Sequence, residues 1–156
     1  MYLPFYNRWI RILKTGDSWR CLRCGECCRS YAVELNESDL RKLSEEWIET
    51  LEDGRKRLKR REDGACIFYD EETRSCRIYE KRPDSCRVFP FSILKRETAE
   101  MIGLKFEEED LVEYRRKQFL VVCDDLCSGL NAGGKVKRVK IMKECFEIAE
   151  RFGFRF

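Results

Sequence analysis

The sequence predicts a small α+β domain in which two or three helices pack around an irregular, cysteine-rich core with short strands. Three observations lead there. The chain has 156 residues and no low-complexity or Pro/Ser-rich linker, so residues 1–156 read as one domain with room for an ordinary core. Ten cysteines are present, four of them within Cys21-Leu22-Arg23-Cys24-Gly25-Glu26-Cys27-Cys28. Short alternating pieces separated by turn residues precede a closing stretch with helical periodicity.

Residues 1–20 form a basic, aromatic lead-in, expected to hold a helix over about residues 7–14 that ends at Gly16-Asp17. Tyr31-Ala32-Val33-Glu34-Leu35 alternates like a strand. Residues 36–63 read as helical: Asn36 or Ser38 can cap, Glu37 and Asp39 suit the positive end, and Leu40, Leu43, Trp47 and Leu51 share a face. Three phrases follow at even spacing, Cys66-Ile67-Phe68-Tyr69, Cys76-Arg77-Ile78-Tyr79 and Cys86-Arg87-Val88-Phe89, each ending in an aromatic residue. Read as extended pieces joined by the polar turns at 70–73 and 81–84, they would fold their sulfurs back near one another. A helix is expected from about Glu107, with Leu111, Tyr114 and Gln118 marking its sides. Residues 121–134 carry Cys123 and Cys127 and end in the loop-like Asn131-Ala132-Gly133-Gly134. The last helix spans about 135–152, with Val139, Met142, Cys145, Ile148, Ala149 and Phe152 on its apolar face, which makes Cys145 a core residue.

Charge narrows the partners. The 32 basic residues are interleaved with 29 acidic ones, and the net charge of +3 is too small for a nucleic-acid-binding field. The run Gly54-Arg55-Lys56-Arg57-Leu58-Lys59-Arg60-Arg61 is flanked at once by Glu52, Asp53, Glu62 and Asp63, which favours a solvated turn over a phosphate-binding patch. The apolar N-terminus is broken by Pro4, Arg8 and Arg11, and no window reaches membrane-spanning length, so neither a secretory leader nor a membrane partner is expected. A cytoplasmic location follows, where thiols stay reduced. The charge-rich, His-free composition resembles that of proteins from very hot environments, where intracellular disulfides persist, and this keeps a disulfide framework as a lower-ranked alternative.

Catalytic signals are sparse. Without histidine there is no imidazole base and no Ser-His or Cys-His pair. Gly133-Gly134-Lys135 lacks the spacing of a phosphate loop and reads as a helix entry.

The thiols carry the chemistry. Four in eight residues exceed what core packing explains, which leaves disulfides or soft-metal ligation, and the absence of histidine narrows the latter to all-thiolate sites. Cys21-x2-Cys24-x2-Cys27 matches the three close ligands of a [4Fe–4S] cluster, while Cys21-x2-Cys24-Gly25 equally matches a zinc knuckle. Adjacent side chains diverge in an extended segment, so Cys27 and Cys28 would serve two centres. Cys21, Cys24, Cys27, Cys28, Cys66, Cys76, Cys86 and Cys127 supply two four-ligand sites, with Cys123 a ninth candidate. A tetrathiolate centre is anionic, and Arg23, Arg29, Arg77, Arg82 and Arg87 are distributed to compensate it.

Cys21-x2-Cys24-Gly25-x-Cys27-Cys28, Cys66, and Cys76-x-Ile78-Tyr79-x2-Arg82-Pro83-x2-Cys86-Arg87-x-Phe89-Pro90 together resemble the YkgJ-type CxxCxxCC cysteine-cluster family. Cys127-x-Gly129 is similar to that family's later Cys-x-Gly element, so the resemblance spans about residues 19–129. Two departures are Gly64-Ala65 before Cys66, where the family often has proline, and the extra Cys123. The resemblance implies zinc or iron chelation, with an iron–sulfur redox or modification-accessory role and a protein redox or substrate partner. The competing expectation is a zinc-stapled, non-enzymatic module that binds nucleic acid or protein.

Overall fold

A computed structural model of the chain describes residues 1–3 and 8–156 and has the expected α+β character. Its strands are β1 (Tyr2–Leu3), β2 (Arg8–Ile12), β3 (Ser18–Trp19), β4 (Ile48–Thr50), β5 (Lys56–Leu58), β6 (Tyr69–Asp70), β7 (Ser75–Cys76), β8 (Phe91–Lys95), β9 (Leu111–Tyr114), β10 (Lys117–Asp124) and β11 (Leu130–Lys135). Its helices are α1 (Glu26–Ser30), α2 (Glu37–Leu40), α3 (Asp84–Val88), α4 (Arg96–Met101) and α5 (Arg138–Arg151). Only α5 is long, and no described helix is long and apolar enough to cross a membrane.

The main sheet is antiparallel and built on β10. Strand β8 runs along one edge of β10, while β2 and β9 share the other, with β1 outside β2. Alternation along β10 sends Phe119, Val121 and Cys123 to one face, where Leu13, Phe91 and the Ile141, Met142, Cys145 and Phe146 side of α5 cover them. Leu120 and Val122 go to the other face, with Ile10, Ile12 and Ala99. A strand apolar on both faces gives a continuous hydrophobic run without visible alternation. Such a run is hard to read as β from sequence.

Several expected elements change identity. The helix over residues 7–14 is strand β2 instead, its start at Asn7 lying outside the described residues; Ile10 and Ile12 alternate into the core as β-branched residues do in sheets. The helix from Glu107 is the β9–β10 hairpin. Its two-residue turn, Arg115-Arg116, has φ of 50° and 62°, the left-handed pair that a tight hairpin requires. The loop at 131–134 and the helix entry at Gly133-Gly134-Lys135 are both strand β11, paired with β3. Helix α5 starts at Arg138, with Val139 half exposed and Ile141 and Phe146 buried in its place.

The stretch 36–63 is mostly not helical. Asn36 does cap α2 in a reciprocal capping box with Asp39, but α2 lasts four residues. A 3-10 turn at Glu45–Trp47 then leads into the β4–β5 hairpin, which turns at Gly54 with φ 84°. The apolar residues still face inward. Leu40, Leu43 and Trp47 pack against a second core of Val33, Leu35, Leu58, Cys66 and Phe68, to which Cys28, Cys76 and Cys86 are attached. The Tyr31–Leu35 piece is extended around a single bridge, Glu34 to Arg57.

Candidate metal centre

The site is assembled from the smallest elements of the fold. Gly25, with φ 77°, turns the chain into α1, and a Cβ there would lie 2.3 Å from the Tyr69 ring and 2.8 Å from the Arg74 carbonyl. Only glycine combines that backbone with that approach. Cys27 and Cys28 therefore sit on a helical turn, not on the extended segment expected from their divergence. The Cys28 carbonyl accepts from the Cys66 N–H at 2.8 Å, which ties α1 to the first of the three phrases. Cys76 is cross-strand partner of Tyr69 in the β6–β7 hairpin, so the first two phrases fold back as expected. The third does not: Pro83 and Asp84 open α3, and Cys86 is helical. Its N–H and that of Arg87 both donate to the Pro83 carbonyl.

Three of the eight candidate ligands are hydrogen-bonded together, and two more feel their charge. The Cys28 thiol is hydrogen-bonded to both Cys27 and Cys76. Donation from Cys28 favours thiolates on its neighbours, lowering Cys27 to about 7 and Cys76 to about 6 against burial, while Cys28 itself is pushed up. Burial, then the charge of Cys27, Cys66 and Cys76, drives Cys86 well above an ordinary thiol, and burial raises Cys66. These are sulfurs that repel one another when ionised, the condition a bound cation relieves.

Cys21, Cys24 and Cys127 line the same cleft, about 1050 Å³ in volume. The Tyr79 hydroxyl is hydrogen-bonded to Cys21. Cys127 is brought alongside by its neighbour Gly129, whose carbonyl accepts from the Arg20 N–H at 3.1 Å; a Cβ on Gly129 would stand 2.2 Å from the Arg20 carbonyl. The Cys-x-Gly element thus docks by backbone contact just before the first cysteine. Trp19, also lining the cleft, buries an indole N–H with no partner among the described residues. Nothing in the sequence marks it, whereas Tyr69 and Tyr79 occupy the aromatic positions of the repeated phrases.

Cys123 and Cys145 belong to the sheet core, although Cys145 also borders the cleft. Both are buried in the sheet–α5 core, where burial pushes each thiol up to about 12, and Cys123 donates to the Arg11 carbonyl at 3.7 Å. Cys145 is core as expected, and Cys123 is resolved the same way. All ten cysteines are free. Among the described residues no three Cys, Asp or Glu side chains form a finished metal cage. The donor chemistry nevertheless fits a soft cation, because clustered thiols with lowered and raised proton affinities are those that exchange protons for metal.

The arginines of the basic run already have partners. Arg55 pairs with Glu34 and Asp53, Arg57 with Glu49, and Arg61 with Asp63 and Glu71, while Arg60 donates to the Arg29 and Gly64 carbonyls.

A family model, CxxCxxCC, described as "Putative zinc- or iron-chelating domain", matches residues 20–129. Neither the curated proteins nor the solved structures yield a match.

Proposed function

We propose, since this chain belongs to the CxxCxxCC family, that it is a metal-chelating protein whose cysteines hold an iron–sulfur centre. The observation that carries this reading is the convergence at Cys28. Its thiol is hydrogen-bonded to Cys27 and Cys76, the charges of those two reach Cys66 and Cys86, and Cys21, Cys24 and Cys127 line the same cleft. That is more thiol than one zinc ion takes, which favours a polynuclear centre or two centres. Cys21, Cys24, Cys27, Cys28, Cys66, Cys76, Cys86 and Cys127 would hold the metal. When bound, an iron–sulfur cluster supplies one-electron transfer, so the role is in redox chemistry or as accessory to a modifying enzyme, with a protein partner and in the cytoplasm.

Protein prepared without oxygen should contain iron and acid-labile sulfide. Colourless protein with stoichiometric zinc would replace the cluster by a zinc-stapled module. For that module a nucleic-acid partner is disfavoured, because the arginines of the basic run already have partners.

A further inference from the structure

Of the five arginines read from the sequence as compensating charges, four have a carboxylate within 4 Å. Arg23 pairs with Glu80 at 3.2 Å, Arg29 with Glu71 at 3.1 Å, Arg77 with Asp70 at 3.3 Å and Arg87 with Asp84 at 3.9 Å. Arg82 has no carboxylate partner among the described residues. It is held by other means: its Nε donates to the Tyr79 carbonyl at 2.8 Å, and its guanidinium carbon lies 3.7 Å over the Tyr79 ring. The opposite face of that ring carries Arg23 at 3.9 Å. The chain has thus fixed one uncompensated cation on an aromatic plate at the wall of the cleft that holds the cysteines, between Cys76 and Cys86 in sequence.

We infer that Arg82 is the counter-cation of the cysteine centre, a positioning residue whose charge offsets the anionic metal–thiolate assembly. The inference rests on the metal-chelating reading and adds to it Arg82, since the other arginines lining the cleft, Arg8, Arg23 and Arg55, are paired with carboxylates. Thiols from three different elements, Cys27 on α1, Cys76 on β7 and Cys86 on α3, line the same cleft wall as Arg82. An uncompensated guanidinium among thiolates stabilises each added negative charge, and a tetrathiolate complex of a divalent ion retains two of them.

The test is cobalt(II) titration of the full chain under anaerobic conditions, followed by thiolate-to-metal absorbance with a competing chelator. Arg82→Gln should bind cobalt about tenfold more weakly than wild type, the lower end of what outer-shell partners of a metal site contribute. Arg82→Lys, which keeps the charge and loses the planar stack, should recover most of that loss, and Arg57→Gln, at an arginine paired with Glu49 outside the cleft, should match wild type. Should Arg82→Gln not fold, Arg82→Met keeps the unbranched stem over Tyr79 and serves the same comparison. Wild-type affinity in the neutral variants would overturn the inference and leave metal chelation standing. So would a lysine variant as weak as the glutamine one, since shape and not charge would then be at work. Wild-type protein that takes up no cobalt would overturn both.

Discussion

The sheet half and the cysteine half of this molecule use the same residue type to opposite ends. In the sheet half, Cys123 on β10 and Cys145 on α5 are buried among apolar side chains, and burial holds their protons on. In the cysteine half, Cys27 and Cys76 sit in a cleft beside Cys28, and their proton affinities fall to about 7 and about 6. The elements differ in the same way. Strand β10 runs eight residues with neighbours on both edges, whereas α1, α3, β6 and β7 are two to five residues long. Elements that short bury too little to stand alone. Thiols are packed as hydrophobes where the backbone is already stable, and share a cleft with shifted proton affinities where the elements are short.

The comparison breaks most visibly at the ligands. Cys86→Ser should release most of the metal and reduce the loaded protein to the stability of the stripped one, read by elemental analysis and thermal unfolding. Cys123→Ser should keep full metal content. Equal metal loss in both variants would erase the distinction between the halves.

Phe119→Ala attacks the other side. Phe119 is 1% exposed and stacked edge-on to Phe146, and its truncation should cost about 3–5 kcal/mol in denaturant unfolding, with or without metal. A cost that appears only in loaded protein would mean the sheet depends on the centre.

Gly25→Ala is a smaller probe of the cysteine half. The positive φ and the clash with Tyr69 should cost about 1–3 kcal/mol and lower metal affinity by moving α1. Unchanged affinity would show that the entry into α1 does not place Cys27 and Cys28.

The smallest effect is acid sensitivity in the sheet half. Burial raises the Asp110 carboxyl, but the Glu107 N–H and the Lys14 ammonium outweigh it and hold the folded value below the ordinary 3.8. A folded value below the unfolded one contributes stability above about pH 4 that is lost as pH falls through the folded value. Asp110→Asn should therefore flatten the acid limb of stability and leave neutral metal binding alone. An unchanged acid limb would refute the assignment.

Legibility followed the range of the determining interactions. The cap at Asn36, the hairpin turn at 70–73, the closing helix and the core role of Cys145 are local matters of pattern and side-chain reach, and were readable. Strands β2 and β10 were missed because their apolar residues face two cores or pair with residues over a hundred positions away, which no window of sequence contains. The stretch 36–63 misled for another reason: helically spaced Leu40, Leu43 and Trp47 do converge, but on a core reached through a bend at the 3-10 turn.

By itself the sequence determined the donor chemistry. With ten thiols, four of them within eight residues, and no imidazole, a soft metal ion finds its donors in sulfur, and that follows from composition and spacing alone. Only the tertiary structure decided which thiols meet and which arginine faces them. Proximity of Cys28 to Cys76, and the pairing of every arginine of the set except Arg82, depend on backbone contacts between segments far apart in the chain, where local propensity is silent.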